Sequence, residues 1–176
     1  MTSPRITDHQ TGYDGHFKLR VLTVQDGDAS YKRERFEPGR AVAALVWHAP
    51  QQRYLLTRQF RVGPEDQLLE LAAGMIDGDE APETAIRREI QEELGYDVDR
   101  LEQIAHVYPS PGTSAETITV FFAEVSHQSG QGGGLADENE NIETVRLSRE
   151  ELLAQQFQDA KTQLAVLWAQ VKHQPR

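Results

Sequence analysis

Cysteine is missing from all 176 residues, which excludes a disulfide framework, a thiolate metal site and a thiol nucleophile and is compatible with a reducing cytoplasm. Long apolar runs are missing as well. The longest clean one, Ala41 to Trp47, is far too short to span a bilayer, and the opening MTSPRITDHQ contains no apolar stretch of the length a signal peptide needs. Basic residues are scarce: 18 Lys and Arg against 28 Asp and Glu leave a formal net charge of -10, which repels polyanions unless a local patch or bound cations reverse the sign. These shortages point to a cytoplasmic protein with no membrane and no nucleic-acid partner. A phosphate bridged to the protein by metal stays allowed. No internal repeat is present. With 38% hydrophobic and 26% charged residues the composition is that of a packed globular chain, long enough for one domain with a small appendage.

Residues 17–25 and 29–37 flank Asp26-Gly27, a dipeptide that favours a tight hairpin, so a β-ribbon is expected ahead of the main body. Pro38-Gly39 punctuates the chain, and the division expected is a ribbon over 1–38 and a main domain over 39–176. Two β-rich runs, 40–48 and 53–62, open that domain, followed by a short apolar run over 68–73 and a loop over 74–79. The clearest helix comes next. Pro82 suits its first turn, Glu80 and Glu83 its positive start and Gly95 its end, while Ile86, Ile90 and Leu94 recur at helical spacing as a buried stripe. Strands are expected over 101–108, 117–125 and 142–147, and helices over 148–157 and 160–172. Between them lies a glycine-rich stretch, 126–134, read as a flexible segment that serves a function more readily than a linker.

Within the clear helix, Glu89, Glu92 and Glu93 stand at i, i+3 and i+4 and converge on one patch beside the apolar stripe. Like charges at this spacing cost a few tenths of a kcal/mol per pair, so something should offset them. Arg87 and Arg88 offer ordinary surface pairing. A hard divalent cation offers another solution, because Mg²⁺ takes oxygen ligands and bridges carboxylates to substrate phosphates. The helix alone divides evenly between this reading and a plain solvated face. Asp137-Glu138-Asn139-Glu140, just past the glycine-rich stretch, supplies a second acidic cluster able to act as ligand or base.

Gly74, Glu80, Arg88-Glu89-Ile90, Glu92-Glu93 and Gly95-Tyr96 have the spacing of a known signature. The segment resembles the complete Nudix box, GX5EX7REUXEEXGU with U a bulky apolar residue, and every fixed position is filled. The likeness extends to Gln59-Phe60-Arg61, to 69–74, to Ser110-Pro111-Gly112 with Glu116, and to 134–140. These segments are similar to the ADP-ribose pyrophosphatase branch of the Nudix hydrolases and to its neighbour, the GDP-mannose pyrophosphatases. Pro111, fifteen residues past the box, stands where a proline marks the ADP-ribose branch. Gly132-Gly133-Gly134 and Asp159-Ala160-Lys161-Thr162 look more like the GDP-mannose enzymes.

The resemblance implies an α/β/α sandwich around a mixed sheet, with the N-terminal β-ribbon swapped between the chains of a homodimer. It implies Glu89 and Glu93 as chief metal ligands, Glu92 and the Ala73 carbonyl as assistants, and Glu140 as a further ligand. Two or three Mg²⁺ ions are expected per site, with Mn²⁺ as an alternative. Glu138 matches the loop glutamate that activates the attacking water. Arg33 and Arg61 match substrate-binding arginines, with Glu70, Gly112 and Glu116 as weaker carry-overs, and Glu80 and Arg88 as an ion pair pinning loop to helix. The expected reaction is hydrolysis of a nucleoside-diphosphate-sugar, with ADP-ribose split to AMP and ribose 5-phosphate as the first expectation and GDP-mannose or a broader substrate set as the rival. A module that senses ADP-ribose without cleaving it stands as the reading from another class.

Overall fold

In the computed structural model, residues 3–135 and 141–173 are described. They form two compact units, one made of the chain up to Arg40 with Tyr108–Thr117, the other of Ala41–Val107 with the described residues from Ile118 onward.

The first unit is a three-stranded antiparallel sheet, β1 (Arg5–Asp14), β2 (Lys18–Asp26) and β3 (Ala29–Glu37), in that spatial order. The hairpin at Asp26-Gly27 sits where the dipeptide placed it, with Asp26 opposite Ala29. β1 falls within the ribbon span 1–38 but ahead of the two strands expected in it, 17–25 and 29–37. Every one of its residues is exposed, so no burial pattern marks it, and it is held by its ladder to β2. The segment 108–117 is bound to the end of β3: Phe36 donates its N–H to the Thr113 carbonyl (2.8 Å) and accepts from Ala115 N–H (2.9 Å).

The second unit is a seven-stranded mixed sheet with helices on both faces. Its strands are β4 (Arg40–His48), β5 (Arg53–Arg61), β6 (Asp66–Glu70), β7 (Ala72–Met75), β8 (Tyr96–Val107), β9 (Thr117–Gln128) and β10 (Glu143–Leu147), with order β10-β5-β4-β9-β8, β6 on β5 and β7 on β4. Strand alternation divides the core. From β4, Ala41, Ala43, Leu45 and Trp47 enter one apolar layer with Leu152 of α2 (Arg149–Ala154) and Ala165, Val166 and Ala169 of α3 (Ala160–Lys172). Val42, Ala44 and Val46 enter the other with Ala85 and Ile86 of α1 (Pro82–Glu89) and with Ile90 and Leu94. This is the layered architecture expected. Each buried Leu, Ile or Phe in these layers contributes about 1.5–3 kcal/mol.

Two local departures matter for the site. The single run expected over 68–73 is two strands, because the chain changes partner at Leu71: Glu70 registers with Thr57 of β5, and Ala72 with Ala44 of β4. The long helix is also not uniform. After Glu89 it widens to a π-helical turn, Ile90–Leu94, closed by Gly95, whose N–H reaches back five residues to the Ile90 carbonyl (3.1 Å) and four to the Gln91 carbonyl (3.0 Å). Such turns recur at functional sites.

Among the described residues no helix is long and apolar enough to cross a membrane.

Candidate active site

The carboxylates lie where α1 and its π turn pack on β7. Ile86, Ile90 and Leu94 are 0%, 0% and 1% exposed, so the apolar stripe presses this helix onto the sheet and draws its flanking acids inward. Glu89 and Glu93 are consequently 8% and 2% exposed, an uncommon burial for acids. A Cβ at Gly74 would fall on the Glu89 carboxyl group, so the first box glycine leaves room for a box carboxylate to lie against strand backbone. Glu93 Oε2 accepts the Ala73 N–H at 3.0 Å.

Arg88 organises the other side. One terminal nitrogen donates to Glu89 Oε1 (2.8 Å) and Glu92 Oε2 (3.0 Å), the other to the Met75 carbonyl (3.1 Å) and Glu80 Oε2 (3.2 Å). Burial works against its charge, but the bonds to Glu80, Glu89 and Glu92 outweigh it and raise its pKa above the ordinary arginine value. The expected Glu80–Arg88 pair is therefore present, and Arg88 also carries the charge offset for Glu89 and Glu92. Among the described residues no three His, Cys, Asp or Glu side chains are grouped closely enough to hold a metal ion.

A second cluster starts from Glu70, 2% exposed at the end of β6. Arg61 grips it with two parallel bonds, Nε to Oε1 (2.8 Å) and a terminal nitrogen to Oε2 (3.1 Å), and Lys161 Nζ donates to Oε2 at 2.5 Å. Lys161 also pairs with Asp159 (3.0 Å), whose side chain caps α3 through the Thr162 N–H (3.0 Å), and the Thr162 hydroxyl accepts Leu71 N–H (3.0 Å). Burial disfavours the Glu70 carboxylate, but hydrogen bonds and charge from Arg61 and Lys161 prevail and lower its pKa. The Arg61 pKa is raised: burial opposes it, while Glu70 and then the more distant charges of Glu93 and Asp159 favour the cation. Arg61 thus feels both clusters.

The structure brings together Arg61 and Glu70 in one cluster, joins Glu89 and Glu92 through Arg88, and joins Glu93 to Ala73 through the Ala73 N–H. Arg33, Gly112 and Glu116 belong to the ribbon unit. There Arg33 stacks over the Tyr31 ring, 4.4 Å from its centroid, Gly112 lies open, and the Glu116 N–H donates to Ser114 Oγ (3.1 Å). Glu138 and Glu140 lie outside the described residues. Sequence reading missed the parts played by Asp159 and Lys161. The signal available was an Asp at an N-cap position, which announces a helix start but not a buried partner 91 residues away.

The chain is similar to known proteins over most of its length. The NUDIX domain profile matches residues 37–167. GDP-mannose pyrophosphatases of Salmonella paratyphi B and of Escherichia coli are 36% and 35% identical to the chain, each alignment covering 91% of both sequences. A crystal structure of an ADP compounds hydrolase superposes with a TM-score of 0.81 at 22% identity, covering 97% of this chain and 96% of that one, a likeness of fold.

Proposed function

This chain belongs to the Nudix family, and from that premise we propose that its pyrophosphohydrolase activity is directed at nucleoside-diphosphate-sugars, with GDP-mannose ahead of ADP-ribose. The observation that carries the reading is the filled Nudix box folded so that Glu89 and Glu93 lie buried against the Ala73-Gly74 backbone. Two findings favour the mannose nucleotide. The relatives at 36% and 35% identity carry that activity in their names. Asp159 and Lys161, part of the segment that resembles those enzymes, are built into the Arg61–Glu70 cluster. Pro111 keeps ADP-ribose as the second reading.

Nudix hydrolases work with divalent metal, and the donor set suits it. Glu89, Glu92 and Glu93 offer only hard oxygen ligands, which Mg²⁺ and Mn²⁺ accept. Glu89 and Glu93 would be the chief ligands, with Glu92, the Ala73 carbonyl and Glu140 assisting, for two or three ions. Glu89 and Glu92 must then exchange Arg88 N–H groups for the cation. A bound ion supplies charge neutralisation at the phosphates and makes water more acidic.

The chain's own groups do the rest. Arg61, braced by Glu70, presents a fixed cation to an anionic substrate, and Arg33 is assigned to substrate binding by its sequence match alone. Glu138, by its sequence position, takes the proton of the attacking water, typically a contribution of about 10² to 10⁴ in rate. Water adds to one phosphorus and the bridging P–O bond breaks. The products are a nucleoside monophosphate and a sugar phosphate.

The ribbon is proposed to join two copies of the chain by exchange between them. Ile6, Tyr13, Phe17 and Phe36 are 52%, 64%, 39% and 40% exposed there, and among the described residues β1 leaves a free sheet edge. A cysteine-free chain of this charge is assigned to the cytoplasm.

The test is an activity screen of the purified protein on GDP-mannose, ADP-ribose and UDP-sugars with Mg²⁺ or Mn²⁺, following GMP, AMP and UMP by chromatography. GMP release with the highest kcat/KM supports the reading. AMP release in its place moves the assignment to ADP-ribose, and no monophosphate from any substrate removes it.

A further inference from the structure

The glycine-rich stretch is bonded step by step to the end of the carboxylate helix. Ser129 and Gly130 donate their N–H groups to the Gly95 carbonyl (2.9 and 3.0 Å), Gly133 donates to the Glu93 carbonyl (2.8 Å), and Gly134 donates to the Glu92 carbonyl (3.1 Å). The last carbonyls of any helix lack intrahelical partners. Here two of them belong to residues whose side chains form the candidate site.

The approach demands bare backbone. A Cβ on Gly132 would stand 2.7 Å from the Glu93 carbonyl oxygen and 2.7 Å from the Leu94 carbonyl carbon, and Gly132 has φ +69°. From the other side, a Cβ on Gly95, at φ +80°, would fall on the Gly130 carbonyl oxygen. Both obstacles are main chain and cannot swing away. Any side chain at Gly132 must lift the stretch off the helix.

We propose that Gly132-Gly133-Gly134 is a positioning clasp for Glu93. Glu93 sits in the π turn, where regular i→i+4 bonding gives way and the helix by itself defines the residue's direction less firmly. The clasp holds its carbonyl through Gly133 and the preceding carbonyl through Gly134, while Ala73 N–H holds its carboxylate. Both ends of one residue are thereby tied. A ligating side chain needs placement to about 0.5 Å, and here backbone bonds supply it. The inference rests on Glu93 as a cation ligand.

The experiment measures Mn²⁺ affinity by electron paramagnetic resonance for wild type, Gly132→Ala, Glu93→Gln and the double variant, with Gly63→Ala as control because its added Cβ meets open space. Gly132→Ala should weaken Mn²⁺ about tenfold or more, as loss of outer support does at metal sites. Gly63→Ala should stay within about twofold, and in the Glu93→Gln background Gly132→Ala should add less than about twofold. Unchanged affinity in Gly132→Ala, or equal weakening in both backgrounds, overturns the clasp. Wild type without Mn²⁺ affinity overturns instead the metal reading on which it rests.

If Gly132→Ala does not fold, Gly95→Asn probes the same contact from the helix side, since Asn accepts left-handed backbone but still strikes Gly130. Amide exchange in the wild-type chain needs no variant. Gly133 and Gly134 should be protected, and exchange at free-loop rates refutes the clasp.

Discussion

A carboxylate that is 2% exposed is expensive to charge unless its partners are in place, and the described residues include two, Glu70 and Glu93. They call for different experiments. Glu93→Gln keeps the size and one acceptor for the Ala73 N–H but removes the charge a cation would use. Turnover should fall by about 10²-fold or more, since several kcal/mol of charge stabilisation at about 1.4 kcal/mol per tenfold is at stake, while the melting temperature moves little. Steady-state kinetics beside thermal melting checks this, and near-normal turnover removes the metal site.

Glu70→Gln acts on stability. Arg61 loses its paired carboxylate and Lys161 one of its two, at a cost on the order of 3 kcal/mol at neutral pH, the low end for a buried pair because Arg61 is partly exposed and Lys161 keeps Asp159. Since the folded-state pKa of Glu70 is lowered, its contribution is complete above the unfolded carboxylate value of about 4.3 and drains away as pH falls through the folded value. The gap between the urea midpoints of wild type and variant should therefore be full at pH 7 and shrink as the pH is lowered below about 4. A constant gap would show that Glu70 does not titrate as described.

At the scale of elements, α1 and its π turn act as one wedge. The apolar stripe sets how deep the acids sit, and Arg88 with the glycine clasp sets which way they face. Ile86→Ala should cost about 2–5 kcal/mol, the usual range for truncating a fully buried aliphatic side chain. It should also loosen cation binding, because the wedge carries Glu89 one turn away. Denaturant unfolding with Mn²⁺ titration of the folded variant separates the two effects. A loss of stability with unaltered Mn²⁺ affinity would mean that the stripe and the acids are not mechanically linked. The switch of partner at Leu71 belongs to this scale too. It leaves Glu70 on β6 facing Lys161 and Ala73 on β7 facing Glu93, so two short strands serve two charge clusters.

For the whole molecule, assembly turns on the exposed edge of the ribbon. A sheet edge as exposed as β1, with Ile6 and Tyr13 more than half exposed, is a liability in a lone chain and an asset in a dimer. Light scattering coupled to size exclusion should report two chains for wild type and a shift toward one for the pair Ile6→Asp and Tyr13→Asp. A wild-type monomer would sink the exchanged-ribbon reading.

Local chemistry alone determined much of this protein. The hairpin at Asp26-Gly27, the β-rich runs that became β4, β5 and β9, the stripe Ile86, Ile90 and Leu94, and the spacing of the box acids were legible because period, turn residues and motif offsets are properties of neighbours along the chain. Tertiary structure decided the rest. β1 has no buried face to announce it, the break at Leu71 depends on which strand lies alongside, and Lys161 meets Glu70 only once α3 docks across 91 residues of sequence. The glycines from 130 to 134 look flexible in a linear reading, and their bonds to Glu92, Glu93 and Gly95 exist only when the helix end is there to receive them. A backbone N–H carries no mark of its eventual acceptor, so such contacts become visible only in the folded chain.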